Sequence, residues 1–460
     1  MSRIRYNISM VAWVWMSICG MNPTYARFFH SPGEVNYPRS RVACHPSPTL
    51  GTRYLEPSAV GPHSYRFSLR EKNGIVYTCR GGHIDLTHVR KAADWTAFLA
   101  HRTRQALLQN ERGFAYRMRE PSKYHVHIEY PDGWHALPLD VKEPVATEAA
   151  IQVGRYLAYT GTTWHEILTW FGFKSTGFYS EYPSAFSWED NYSNLLGTHL
   201  GARALRDTDH EYDRAVTLAL HSELQSLGAQ SKQRAADAGE AVRDRWFVSK
   251  FFIFCDMIKR NFDIGSDDGF VSPWLVPGFS ICAGQEATPY PIPRMARLGD
   301  YGLDVVVEIE PREWERHKIL QIIYGNRWRD KDRIEPMQHF GPILEYIRAQ
   351  AVRRYGPHVD TCSVPVDETP RPFMARSAAI RPSMPNDAPG GQIISTSTLA
   401  GTPAAQQFVN HTNDRTDIKG GDPPTISNLV SLAACWLTEE TPTAWLLAED
   451  EPEPRRLTKR

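Results

Sequence analysis

The chain has 460 residues, a formal net charge of +0 and a hydrophobic content of 42%. This length allows two or three domains, and the apolar content is sufficient for a sizeable core. The balanced charge and the lack of a dense Lys/Arg cluster argue against a nucleic-acid partner, because nucleic-acid-binding proteins carry a basic surface.

Residues 1–26 predict a cleaved signal peptide. Two arginines precede a mostly apolar run at 8–21, and Thr24-Tyr25-Ala26 offers the small residues that a signal peptidase reads. The run is too short to favour a membrane-spanning helix, so none is expected after cleavage. Cys19 follows a bulky residue, which argues against a lipoprotein signal, although lipidation stays open. We expect an exported protein of the periplasm or cell envelope; the alternatives are a wrongly assigned start codon or a short membrane anchor.

The middle of the chain predicts an irregular arm at 27–63 and one main α+β domain at 64–362. Alternating apolar residues predict strands over 64–70, 74–80, 124–130, 134–139, 251–257 and 303–309. Apolar residues at helical spacing predict helices over 89–110, 144–171, from about 187, 212–227, 233–242 and 311–324. We therefore expect a helix-rich domain packed on a small, mostly antiparallel sheet. The first two strands should form a hairpin, and so should 124–130 with 134–139.

The composition changes at residue 363. Pro, Ser, Thr, Ala and Gly dominate through residue 424, and this composition buries too little apolar surface to offset chain entropy. We predict a mostly disordered tail over 363–460, with one apolar stretch at 426–437 that suits a helix.

The first candidate site is Gly81–Arg90, which holds His83, Asp85 and His88 at a predicted strand-to-helix junction. In an extended segment His83 and Asp85 point to the same side. Imidazole and carboxylate groups this close suit a divalent metal, or a base held by an orienting acid. The simpler interpretation is that Asp85 caps the helix and the histidines are structural.

The second candidate site lies on the predicted helix at 144–171. His165-Glu166 begins like a zincin motif, but Thr169 occupies the position of the second histidine, so that motif fails. His165 lies on a stripe of small residues that includes Gly154 and Gly161. We expect this stripe to cross a second small-residue face (Asn194, Gly197, Gly201) and to bring Glu181, Asn194 or His199 close to His165. The simpler interpretation is a tight helix crossing with a hydrogen-bonded histidine.

Two further residues have candidate roles. Cys79 lies near His88 and suits a thiol nucleophile activated by imidazole, although a disulfide or a buried thiol explains it more simply. Ser187 and Asp190 have the spacing of a capping box.

Four segments carry a family resemblance: Gly81–Arg90, Trp164–Trp170, Ser184–Gly197 and Arg260–Gly265. In these segments the chain resembles the bacterial domain of unknown function family 4056, over roughly residues 64–279. The resemblance implies a bacterial and often exported protein. It implies no catalytic assignment.

These observations lead to one functional hypothesis and two alternatives. We expect a metal-assisted hydrolase of the cell envelope, with His83, His88, His165 and Glu181 as ligands of a divalent metal such as zinc. Glu166 or Asp85 would be the catalytic carboxylate, with Glu166 as general base. The alternatives are a hydrolase or acyltransferase using Cys79 and His88, and a non-enzymatic binding or scaffold protein. The substrate, or the envelope component bound, stays open.

Overall fold

A computed structural model describes residues 27–30, 35–41, 45–49, 52–174, 181–249 and 255–362. The predicted signal peptide and the predicted disordered tail lie outside these residues, as does most of the strand predicted at 251–257.

The described residues contain helices and short antiparallel sheets, which confirms the α+β prediction. The helices are α1 Leu86–Gln109, α2 Leu139–Trp170, α3 Asp190–Arg206, α4 Tyr212–Ser226, α5 Lys232–Glu240, α6 Arg316–Tyr324 and α7 Pro336–Tyr355. The strands are β1 Ile75–Thr78, β2 Gly82–Asp85, β3 Gly113–Tyr116, β4 Lys123–Glu129, β5 Phe247–Ser249, β6 Cys255–Met257, β7 Phe270–Val271, β8 Tyr290–Pro291 and β9 Asp304–Glu310.

Helix α1 lies at the centre of the fold and packs against both α2 and α3. Its N-cap is Asp85, whose side chain accepts a hydrogen bond from the backbone of Thr87, and it ends at Asn110 in the left-handed region. Most of its residues are buried, including the charged Arg90 and Asp94. A helix buried on nearly all sides must satisfy its polar side chains internally, so α1 collects ion pairs and hydrogen bonds along its length.

The largest sheet has the antiparallel order β3-β4-β9 and covers one side of the main core. Alternate residues of β4 (Tyr124, Val126 and Ile128) are buried and pair with Ile309, Val307 and Val305 of β9. The core therefore depends on contacts between segments almost two hundred residues apart in the chain.

The predicted hairpin between 64–70 and 74–80 is wrong. Strand β1 pairs instead with β2, with Ile75 opposite Asp85 and Thr78 opposite Gly82. Gly82 has a φ of 64°, which allows the chain to reverse directly after β1. The segment before β1 is held by ion pairs of Glu71 rather than by strand pairing.

The predicted pairing of 124–130 with 134–139 is also wrong. Residues Trp134–Ala136 form one turn of 3₁₀ helix after Gly133, which has a φ of 81°. Trp134 is fully buried and donates a hydrogen bond to the carbonyl of Leu107. The local turn was correctly located, but the partners of β4 come from β3 and β9.

Both small-residue faces contact α1 rather than each other. A methyl group built on Gly197 would lie 2.2 Å from the carbonyl oxygen of Val89, and one on Gly154 would lie 2.7 Å from that of Thr96. Gly161 faces Met118 instead. The predicted crossing of the two faces is therefore wrong, because Gly154 and Gly197 both pack against α1, although α2 and α3 also contact each other.

A network of buried charges joins the N-terminal arm to α1. Arg41 donates to Asp94 at 2.6 Å and to Glu71 at 2.9 Å, and His63 Nε2 lies 2.9 Å from the second oxygen of Asp94. Arg39 also donates to Glu71. We call this set the Asp94 network (Arg39, Arg41, His63, Glu71, Asp94). Basic and acidic side chains alternate in this network. Glu71 therefore lies between Arg39 and Arg41, and Asp94 lies between Arg41 and His63.

Among the helices of the described ranges, none is long and apolar enough to cross a bilayer.

Candidate active site

Two carboxylates, Asp85 and Asp190, lie next to His88, and Glu166 and Glu189 interact electrostatically with Asp190. His88 Nδ1 lies 3.0 Å from Asp85 Oδ2 and 3.3 Å from Asp190 Oδ1. Glu166 raises the pKa of Asp190 through its charge, and Glu189 precedes Asp190. All five side chains are buried. We call this group the His88 cluster (Asp85, His88, Glu166, Glu189, Asp190).

Local structure holds each carboxylate of the cluster. Asp85 caps α1, which confirms the simpler interpretation of that residue. Asp190 accepts a hydrogen bond of 3.0 Å from the backbone of Ser187, the reach-back bond of a capping box. Glu166 accepts one of 2.8 Å from the backbone of Phe186, which has a φ of 54°. A bulky residue rarely adopts this conformation, so the bond helps to hold a strained turn.

The charges of the cluster are coupled. Burial alone would favour neutral His88, but Asp190 and Asp85 raise the pKa of the imidazole to about 9. Burial and the neighbouring Glu166 raise the pKa of Asp190 to about 7, although His88 opposes this. His88 is therefore an imidazolium at neutral pH, held by two acids.

Glu189 is the least satisfied acid in the cluster. It is 1% exposed, and neither of its carboxylate oxygens makes a close hydrogen bond among the described residues. Burial and the charge of Asp190 raise the pKa of Glu189 well above its ordinary value, although the Ser187 hydroxyl opposes this. A buried carboxylate with so little hydrogen bonding is costly when ionised, so the site favours the neutral form of Glu189.

A second histidine group lies at His165 of α2, the residue directly before Glu166. His165 Nδ1 lies 2.6 Å from Glu120 Oε1, and His165 Nε2 lies 4.0 Å from Glu181 Oε2. Glu120 is buried, but its bond to His165 and the charges of His165 and Lys91 lower its pKa to about 2. An ionised carboxylate only accepts, so Nδ1 carries the proton and Nε2 is the basic nitrogen.

Lys91 connects the two histidine groups. It lies one helical turn after His88, and its positive charge lowers the pKa of both His88 and Glu120. The side chain is partly buried. The two groups thus lie within electrostatic range of one cation.

The other predicted candidates have different surroundings. His83 is 1% exposed, accepts a hydrogen bond from the indole of Trp188 at 3.3 Å and packs edge-on against Tyr77. Burial lowers the pKa of His83 to about 3, so it is neutral. Cys79 is joined to Cys282 by a disulfide. A disulfide sulfur offers no thiolate, so we do not carry the Cys79 alternative further.

The structure thus brings the predicted residues together in two sets. Asp85, His88 and Glu166 share one cluster, and His165 and Glu181 share the other, while His83 packs in the aromatic core. Within the described ranges, no three His, Cys, Asp or Glu side chains are grouped so that they could hold one metal ion. The roles of His83, His88, His165 and Glu181 as metal ligands stay predictions.

Sequence reasoning missed several residues of the site. Asp190 was assigned only a capping role, although the adjacent acids Glu189-Asp190 in an aromatic-rich segment were a usable signal. Glu120 and Lys91 have no such local signal, because only the tertiary fold brings them to His165 and His88.

Comparison with known proteins identifies the segment that carries this site. Residues 48–272 match the family described as Protein of unknown function (DUF4056). The predicted resemblance to family 4056 is confirmed. The match includes every residue of the His88 cluster together with Lys91, Glu120, His165 and Glu181. No curated protein and no solved structure matches the chain significantly.

Proposed function

We propose that this member of family 4056 is an exported hydrolase of the cell envelope whose reaction takes place between His165 and His88. The main support is the geometry of His165, whose Nδ1 is bound at 2.6 Å by the buried Glu120. This leaves Nε2 basic and near Glu181, in the manner of a histidine base oriented by an acid.

The residues divide into complementary roles in this proposal. His165 Nε2 takes a proton from a bound water as the water attacks the substrate, and Glu120 fixes the ring and its tautomer. Lys91 stabilises the negative charge that develops on the substrate. His88, an imidazolium at neutral pH, donates a proton to the leaving group. Asp85 and Asp190 hold that imidazolium in place.

The disulfide supports the exported location. Cys79 and Cys282 are 203 residues apart in the chain and are covalently linked. Disulfides persist in oxidising compartments such as the periplasm and are rare in the cytosol. The linkage agrees with the signal peptide expected at 1–26.

A second candidate is the metal-assisted form of the same hydrolase. It is favoured by the excess of acid in the His88 cluster, which holds four carboxylates and one imidazole. Neither oxygen of Glu189 makes a close hydrogen bond within the described part of the chain. A divalent cation such as zinc would compensate this charge, and it would also lower the pKa of a bound water.

The hydrolase proposal is tested with purified envelope fractions. The full chain is incubated with peptidoglycan and with lipid extracts, and mass spectrometry searches for products that have gained one water. We expect His165→Asn and Glu120→Gln to lose at least about tenfold in rate. The matched control is His210→Asn, because His210 pairs with Asp207 at the surface. Products that persist unchanged in His165→Asn would contradict the proposal, and a wild-type protein without products would favour a binding or scaffold role.

The metal form has its own measurement. Elemental analysis of the purified full chain reports the metal content, and Glu189→Gln and Asp190→Asn should lower it. A protein that hydrolyses its substrate without stoichiometric metal, and that chelators do not inhibit, leaves the acid–base form as the mechanism.

A further inference from the structure

A basic cavity lies at the C-terminal end of β9, and none of the residues assigned to the proposed active site lines it. Its volume is about 560 Å³, and it is lined by residues after β9, the first turns of α6 and the segment at 328–332. Arg312, Arg316, Arg329 and Lys331 line it.

The positive charge of this cavity is only partly compensated. Glu310 lines it, but its carboxylate already accepts bonds from Arg312 at 2.7 Å, from Arg333 at 2.7 Å and from His125 at 2.9 Å. By contrast, Arg316, Arg329 and Lys331 have no carboxylate oxygen within 4.0 Å in the described part of the chain. Asp332 is the second acid of the lining. Three cations therefore remain available to a ligand.

One wall of the cavity is aromatic and apolar. The guanidinium of Arg329 lies 5.2 Å from the ring centre of Trp328, and the His317 ring lies 4.9 Å from it on α6. Leu320 forms a buried part of the lining. The cation–π contact restrains Arg329, so less freedom is lost when it binds an anion.

We infer that this cavity binds a phosphate-bearing ligand whose body packs against Trp328 and Leu320. A phosphate group has three acceptor oxygens and a charge approaching −2, which suits several converging cations better than a single carboxylate does. Two guanidinium groups offer the planar donor geometry that phosphate oxygens accept. The cavity is larger than a bare phosphate, and the apolar wall therefore selects a ligand with a ring or an acyl body.

The probe is phenylphosphonate, which carries a ring and cannot be hydrolysed at the phosphorus–carbon bond. Its binding to the full chain is measured by calorimetry at low ionic strength and compared with inorganic phosphate. We expect phenylphosphonate to bind more tightly, because only it reaches the apolar wall. The double variant Arg316→Gln/Arg329→Gln should weaken binding by roughly tenfold per guanidinium. These side chains are exposed, so the variant should fold.

The matched control removes the same charge from the same segments. Lys318 and Arg327 are exposed neighbours that do not line the cavity. Lys318→Gln/Arg327→Gln should keep the affinity within about twofold, because only screened long-range charge is lost. Absence of binding, or an equal loss in both double variants, would overturn the inference.

A second arm separates a free ligand from a lipid headgroup. Trp314 is 96% exposed and lies between Arg312 and Arg316 in the chain, where an indole can enter a membrane interface. Vesicles of phosphatidylglycerol are sedimented with the full chain and with the Trp314→Ser variant. Binding that needs both Trp314 and the two arginines identifies a headgroup. Phenylphosphonate binding without vesicle binding identifies a soluble phosphate compound. If neither probe binds, the inference is wrong.

Discussion

Helix α1 takes part in two buried ionic groups with opposite charge balance. In the Asp94 network, Arg41 lies between Asp94 and Glu71, and His63 pairs with the other oxygen of Asp94. The His88 cluster holds four acids and one imidazole, of which only Asp85 and Asp190 contact the ring, and Glu189 makes no close hydrogen bond among the described residues. The two groups lie less than two helical turns apart on the same helix.

The difference separates a structural role from a functional one. Buried acids and bases that pair with one another fix the arm against α1, and within this network His63 Nδ1 lacks a hydrogen-bond partner among the described residues. In the His88 cluster, by contrast, buried acids with raised pKa values outnumber the bases near them, and such unfavourable arrangements are concentrated at functional sites. The contrast supports a structural role for Asp94 and the chemical role proposed for His88.

The largest expected effect is the loss of stability on Asp94→Ala. This change leaves the buried guanidinium of Arg41 and the His63 ring without one partner each. Breaking a buried pair in this way costs about 3–5 kcal/mol in the free energy of unfolding. Urea unfolding followed by circular dichroism measures it. The surface pair Asp207–His210 is the control, and Asp207→Ala should cost about 1 kcal/mol or less. Equal losses would remove the distinction between the two groups.

Local signals explain which parts of the fold were predictable. Asp85 followed by Thr87 is a capping pattern over a few residues, and Asp85 does cap α1, although the helix was predicted from residue 89 and begins at Leu86. The predicted hairpin over 64–80 is wrong because Glu71 is bound by Arg39 and Arg41, thirty or more residues upstream, rather than by a neighbouring strand. The partner of β4 in β9 depends on contacts that no window of local sequence contains.

The residues of the candidate site also divide into those that local sequence signals predicted and those that only the tertiary fold reveals. Of the three residues expected near His165 (Glu181, Asn194 or His199), Glu181 lies 4.0 Å from it, although the helix crossing used to argue this was wrong. Glu120 was missed because it lies in a turn without periodicity, and it reaches His165 only through the packing of α2. Glu189 and Asp190 were visible as adjacent acids, but only their burial reveals that they are under-compensated.

The next effect is a loss of stability at alkaline pH that belongs to His88. Asp190 and Asp85 raise its pKa from 6.5 to about 9 against the effect of burial. The folded state therefore holds this proton more tightly, and the resulting stability is complete below pH 6.5 and is lost as the pH rises through 9. The pKa of Asp190 is raised from 3.8 to about 7, so this group also makes the folded state less stable as the pH rises, but between these two lower values. The His88 contribution is roughly 3 kcal/mol.

Urea midpoints measured from pH 5 to 10 test this loss. His88→Gln should flatten the curve above pH 6.5, whereas His199→Gln should not, because burial lowers the pKa of His199 to about 4. The Asp94 network should instead lose its contribution to stability at low pH. Burial opposes it, but Arg41 lowers the pKa of Glu71, so its stability is present above the ordinary value and is lost on acidification. A wild-type curve that is flat between pH 6.5 and 9 would contradict the role of His88.

The smallest expected effect, that of Glu189→Gln, separates the two mechanisms. Burial and Asp190 raise the pKa of Glu189, so the folded wild type increasingly loses stability relative to the unfolded chain as the pH rises above 4.5. The amide cannot ionise, so the variant should gain roughly 1 kcal/mol or more at pH 8, and less at pH 5. A cation bound by Glu189 would reverse the sign, because the variant would then lose a ligand. Unfolding of wild type and variant is therefore measured at pH 8 with and without zinc. If Glu189→Gln is more stable than wild type under both conditions, the result supports the acid–base site. If the variant is less stable only when zinc is present, the result supports the metal site.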